Sequence, residues 1–150
     1  MAKKEKLIYG DEKQVCFNID GDVGFSSPNL TGDVMLIQAM FNFIFKGNRF
    51  LLGVESNDLP QITGTFDADT GYSIMKFQFK WMRNLTTQKS GVLFPGYYKK
   101  KIPLMVGDGY RRQAMFLLHQ FAQEAAARMG ETDYTVKMLN MFPELKPFTK

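Results

Sequence analysis

A mainly α fold, a small helical bundle with an N-terminal β-hairpin and additional C-terminal helices, is predicted by three observations. Apolar residues recur at three- and four-residue spacing from Val34 to Phe45, from Ile74 to Trp81 and from Tyr110 to Ala125. Capping and stop residues bracket these runs, with Asp33 before and Gly47 after the first, Asp67 or Asp69 before the second, and Asp108 before and Gly130 after the third. Two short strand-like segments, at residues 7–9 and 14–19, precede the helical part.

Taken in order, Leu7-Ile8-Tyr9 and Gln14-Val15-Cys16-Phe17-Asn18-Ile19 read as two short strands joined by the polar turn Gly10-Asp11-Glu12-Lys13. A loop, Asp20-Gly21-Asp22 and Ser26-Ser27-Pro28-Asn29, leads to the first helix, on which Val34, Ile37, Phe41, Ile44 and Phe45 share a face. A long polar connection, Lys46 to Ile62, ends in Thr63-Gly64-Thr65-Phe66-Asp67-Ala68-Asp69-Thr70. There Gly64 supplies a backbone conformation that side chains resist, Phe66 drops a ring toward a core, and Asp67 or Asp69 accepts from free amides at a helix start. The second helix carries Ile74, Phe77 and Trp81 inward and turns Lys76, Lys80 and Arg83 to other faces. A further turn, Ser90-Gly91-Val92-Leu93-Phe94-Pro95, precedes a third helix within Gly107 to Gly130 with Tyr110, Ala114, Leu117, Leu118, Phe121, Ala122 and Ala125 on one stripe. A last helix from about Thr132 to Phe142 is ended by Pro143, and Pro147 argues against more helix beyond it.

This order resembles the peptidoglycan-binding-domain-like (PGBD-like) family, a three-helix bundle marked by a hydrophobic residue, Leu-Gln, a Gly-x-Phe-Gly-x-x-Thr turn and a helix closing in Phe-Gln. Val34, Ile37-Gln38 and Phe41 match the first helix, Gly64, Phe66 and Thr70 the turn, and Ile74, Phe77 and Gln78 the second helix. Asp67 stands where the family has its second turn glycine, and the 46–62 connection is longer than usual. The resemblance implies a PGBD-like core from about residue 33 to residue 129 within a single domain spanning 1–150. It also implies a cell-wall ligand, peptidoglycan glycan or stem peptide, and a bacterial or phage origin. The expected ligand surface is Asp69, Tyr72 and Lys76 at the start of the second helix, joined by Tyr97 and Tyr98 after the second turn. On that reading Gly64, Phe66, Phe77 and Gln78 shape the scaffold.

Composition sets the outer limits. With 150 residues, 45% hydrophobic and 14% aromatic, the chain carries ample material for one core, and its fourteen Phe and ten Met make that core soft. The net charge of +4 favours acidic polymers without selecting among them. Cys16, the only cysteine, excludes an internal disulfide and a multi-cysteine metal site, and fits a strand as a small apolar residue.

The single histidine, His119, lies inside an apolar helical pattern, so a Ser-His or Cys-His nucleophile and a zinc peptidase are not expected. Neither Asn18-x-Asp20-x-Asp22 nor Asp67-x-Asp69-x-Gly71 completes a calcium loop, because the turn glycine or the closing glutamate is missing. No metal or cofactor is expected. Glycoside hydrolysis needs only two carboxylates, with Glu55 in the loop 53–58 the best acid, but paired acids are not visible in sequence. The reading is therefore a non-enzymatic wall-binding module; the alternative is a protein-protein adaptor in a secretion, phage or lysis complex, with a muramidase-type hydrolase behind both.

The cluster Tyr97-Tyr98-Lys99-Lys100-Lys101 suits sugar faces, nucleic-acid bases or phosphate-bearing polymers, with nucleic acid not expected as the partner. The basic start Met1-Ala2-Lys3-Lys4-Glu5-Lys6 lacks the apolar stretch of a secretory signal, and no run approaches the ~20 apolar residues of a membrane span. The chain as encoded is expected in the cytoplasm, with delivery to the periplasm or wall by a route other than a signal peptide.

Overall fold

Among the described residues, the spacing of apolar residues places four α-helices and an N-terminal hairpin around a shared interior. The computed structural model describes residues 2–9, 12–81, 91–96 and 114–149, and the backbone alone for 7–9 and 12–13. Strands β1 (Lys3–Tyr9) and β2 (Glu12–Asn18) pair antiparallel from Lys3 opposite Asn18 to Tyr9 opposite Glu12. Both strands are longer than the expected segments, because the charged residues 3–6 and 12–13 also join the ladder. A second, two-residue pairing joins β3 (Val23–Gly24) to β4 (Val92–Leu93).

Helix α1 (Thr31–Gly47) is the central element and buries residues on most of its circumference, from Val34 and Leu36 to Phe43 and Ile44. It begins two residues before the expected cap. Asp33 lies in the first turn, fully buried, and its carboxylate accepts from the backbone amides of Asp20 (3.1 Å) and Gly21 (2.9 Å). Its short acceptor is thus spent on holding the preceding loop, while the helix starts at Leu30 without a side-chain cap. At the other end Gly47 permits close packing on α3 (Ala114–Arg128): a Cβ there would lie 2.6 Å from the Ala125 Cα.

Helix α2 (Ala68–Trp81) starts where Asp67 Oδ1 accepts from the Thr70 amide at 2.8 Å and the Thr70 hydroxyl at 2.6 Å. Ile74 and Phe77 are buried as expected, and Phe77 meets Phe41 and Phe121 edge-on. Trp81, expected inside, is 37% exposed and leans on the Phe121 ring at 5.1 Å. Its indole N–H donates to the Leu51 carbonyl, which fixes it at the rim.

Helix α3 ends at Arg128 in a left-handed Gly130 (φ 79°), with Glu131 N donating to Ala126 O and Gly130 N to Ala127 O. Its expected start, including Gly107, Asp108 and Tyr110, lies outside the described residues. Helix α4 (Tyr134–Met141) is capped by Asp133, whose carboxylate accepts from the Thr135 amide at 2.9 Å. Beyond it a 3-10 turn, Pro143–Phe148, corrects the expectation that Pro147 stops helical structure. Pro143 sits at its first turn, where no amide is needed, and so short a 3-10 segment accommodates a second proline.

One cluster of buried side chains runs from Cys16, Phe17 and Ile19 through α1, Ile74 and Phe77 to α3, Tyr134, Met138 and Leu145. The hairpin docks through β2, where the Phe17 amide donates to Tyr134 Oη at 2.8 Å and the two rings meet edge-on. The molecule is mainly helical with a small antiparallel hairpin.

Candidate functional site

Three buried amide side chains hold the loops that surround α2. Gln38, on α1, donates to the Thr65 carbonyl (3.0 Å) and Thr70 hydroxyl (3.0 Å), while its oxygen accepts from the Thr63 and Gly64 amides (both 2.9 Å). Gln78, on α2, repeats the arrangement one helix later: it donates to Val92 O at 2.8 Å and accepts from Gly91 N at 2.7 Å. Gly64 and Gly91 share a left-handed backbone, φ 79° and 77°. Asn18 closes a third clamp on Gly96, donating and accepting at 2.8 Å. In each case the amide side chain both donates to a backbone carbonyl and accepts from a backbone amide, satisfying polar groups that burial would otherwise leave unpaired.

The Gln38 clamp sets the start of α2, where three of the expected ligand residues stand. Asp69, Tyr72 and Lys76 are spaced three and four apart and form one outward stripe. Asp69 and Tyr72 are exposed, Lys76 is half-buried, and the Lys76 ammonium lies 5.4 Å from the Tyr72 ring centroid. The stripe therefore offers a carboxylate and a partly exposed aromatic ring already paired with a cation. Tyr97 and Tyr98, together with Lys99 to Lys101, lie outside the described residues.

Sequence reasoning did not single out Met75 (44% exposed) and Phe79 (68%) on the same side of α2, or Phe25 (51%) beside its start. Phe25 packs edge-on against Phe66 and lies over Gly71 and Gly91, where any Cβ would press on its ring. The one signal for such an outward stripe is that Tyr72, Met75 and Phe79 fall off the Ile74–Phe77 face.

His119, in contrast, is structural. It is buried, its Nδ1 lies 3.2 Å from Tyr134 Oη and its Nε2 lies 2.9 Å from Gln14 Oε1. Since the Gln14 oxygen can only accept, Nε2 carries the proton and Nδ1 accepts from the tyrosine hydroxyl. Desolvation pulls the imidazole down to about 4, and burial raises the Tyr134 hydroxyl well above its usual range. Cys16 is equally withdrawn, its thiol pushed up to about 12 chiefly by burial. Glu55 is an exposed residue at the start of the 3-10 turn Ser56–Asp58, its amide held by the Asp58 carboxylate at 3.2 Å.

Among the described residues no cluster of three or more His, Cys, Asp or Glu could hold a metal ion, and no helix is long and apolar enough to cross a membrane. Comparison of the chain with protein-family models, with curated proteins and with solved structures finds no match.

Proposed function

We propose that the chain is a non-catalytic bacterial or phage module that binds peptidoglycan, built on a PGBD-like core. The observation that carries this reading is the paired amide clamp. Gln38 and Gln78, two residues of the family pattern, each grip a glycine turn from the preceding helix. The pattern residues Gly64 and Thr70 are bound to the first of these clamps, so the resemblance rests on residues that act together. The ligand surface is the Asp69, Tyr72 and Lys76 stripe; Tyr97 and Tyr98, expected from sequence to join it, lie outside the described residues. A tyrosine face stacks on a sugar ring or peptide, and the flanking carboxylate and ammonium bind hydroxyls, amines or carboxylates of the wall polymer.

Co-sedimentation with isolated sacculi at low and high salt tests this, with the supernatant assayed for released fragments. Salt-resistant sedimentation without release is the expected outcome, and release of soluble muropeptides would instead favour the hydrolase. Tyr72→Ala is expected to weaken binding by about 1 kcal/mol, roughly five-fold, with the melting temperature unchanged. Sedimentation that Tyr72→Ala leaves intact would remove the proposed surface.

A second reading, a protein-protein adaptor, is favoured by the exposed Met75, Phe79 and Phe25 around the same stripe. A native mass showing a stable complex, with no affinity for sacculi, would select it.

A further inference from the structure

A cleft of about 750 Å³ opens where α1, α3 and α4 end. Its apolar part is Phe45, Leu59, Met141 and Phe142, and its rim carries Lys46, Arg49, Phe50 and Arg128. Among the described residues no carboxylate lines it. Its volume falls within the usual range for ligand-binding clefts.

The rim is built by the exit from α1. After Gly47 the chain turns on Asn48, whose Oδ1 accepts from the Phe50 amide at 3.1 Å, and the turn projects Arg49 and Phe50 outward. Phe50 is 69% exposed, yet its carbonyl is tied to the Lys80 ammonium, and the Arg49 guanidinium stacks 5.0 Å from its ring centroid. A guanidinium already ordered by stacking loses less freedom when it pairs with a carboxylate. Lys46 and Arg49 form no ion pair among the described residues. Arg128 pairs with Glu124 at 3.4 Å, but both side chains are about half exposed, and such a surface pair yields readily to a better partner.

Asn42, which also lines the cleft, has its amide donors already engaged: Nδ2 donates to Gln38 O and Pro60 O, both at 2.8 Å. What remains for a ligand is an apolar cavity ringed by cations.

We propose that this cleft docks an acidic peptide segment of a partner protein, an aromatic or aliphatic side chain entering beside Phe45 and Phe142 while flanking carboxylates pair with Lys46, Arg49 and Arg128. Concavity disfavours a flat anionic membrane. A single recess, in place of successive rings along a charged groove that tracks a backbone, disfavours single-stranded nucleic acid. None of the lining residues belongs to the Asp69, Tyr72 and Lys76 stripe, so the inference stands whether or not the chain binds the wall.

The test is fluorescence anisotropy of the full chain with a labelled hexapeptide of four glutamates flanking a central leucine-phenylalanine pair. Competitors are the glutamine analogue, a twelve-residue oligothymidylate and phosphatidylglycerol vesicles. The expected result is salt-sensitive binding that drops roughly ten-fold in Arg49→Glu, in Phe50→Ser and in the glutamine analogue, with no change in Tyr72→Ala. Both altered side chains are exposed, and unchanged melting temperatures will establish that the fold survives. Three results overturn the proposal: no peptide binding, equal binding of the glutamine analogue, or binding insensitive to Arg49→Glu and Phe50→Ser. Preferential binding of the oligonucleotide or the vesicles also overturns it. In those cases Lys46 and Arg128 serve only the carbonyl ends of their helices.

Discussion

Gln38 is the residue on which most of the local order converges, because one side chain satisfies two backbone amides, a carbonyl and a hydroxyl. Gln38→Met keeps the volume and strands those groups in a buried site, so a loss of about 3 kcal/mol in urea unfolding is expected, with the Gly64 turn disordered first. A loss under ~1 kcal/mol would show that water replaces the amide. His119 makes a prediction of its own. Its folded value, about 4, lies below the ordinary value of 6.5, so the unfolded chain takes up the proton first as pH falls. The stability it contributes is present in full above about pH 6.5 and is lost progressively toward pH 4, by up to about 3 kcal/mol. Subtracting the pH profile of a His119→Asn chain isolates that slope; parallel profiles would contradict the buried neutral imidazole. Neither role is legible from a lone glutamine or histidine in sequence, since both depend on partners far along the chain.

At the scale of elements, helix ends decide more than helix interiors. Gly47 is an apparent weakness in α1, and propensity alone predicts that Gly47→Ala would stabilise the helix by ~1 kcal/mol. The approach of Ala125 reverses the sign: the added methyl collides with α3, and thermal unfolding is expected to show a loss of about 2 kcal/mol. Asp67→Ala removes the acceptor for the Thr70 amide and hydroxyl at the start of α2, at a cost of about 1 kcal/mol, read in the same assay. The caps at Asp67 and Asp133 follow the ordinary pattern of an acidic residue before an apolar run, and the first was open only as to which aspartate serves. Asp33 follows the same pattern in sequence and plays another part, since the loop that it binds is brought against it by folding. The long 46–62 connection is likewise held by neighbours: Asn42 binds Pro60, Ser73 binds the Asp58 carbonyl at 2.9 Å, and Trp81 binds Leu51.

Over the whole molecule, the hairpin is continuous with the helical core, because β2 inserts Cys16 and Phe17 beside α3 and α4. Cys16 reports on that docking. A buried thiol pushed up to about 12 resists alkylation, so labelling with a maleimide is expected to be slow in native buffer and to rise with urea in step with global unfolding. Rapid labelling of a chain whose helices remain folded would mean that the hairpin opens by itself. Fourteen Phe in 150 residues make this possible, since edge-on contacts such as Phe41–Phe77 and Phe77–Phe121 link separate helices into one interior.

Sequence alone determined the mainly helical class, the places of α1, α2 and α4, the hairpin ahead of them and the glycine turn at Gly64, because periodicity, caps and left-handed glycines are local physics. It also marked Asp69, Tyr72 and Lys76 as neighbours, since helical spacing puts them on one stripe. Only the tertiary structure decided that Gln38 and Gln78 clamp successive turns, that Asp33 binds a loop, and that Trp81 rests at the rim. The cationic cleft belongs with these: Arg49, Arg128 and Phe142 come from three distant segments. Their juxtaposition depends on how helices α1, α3 and α4 pack, which no local spacing encodes.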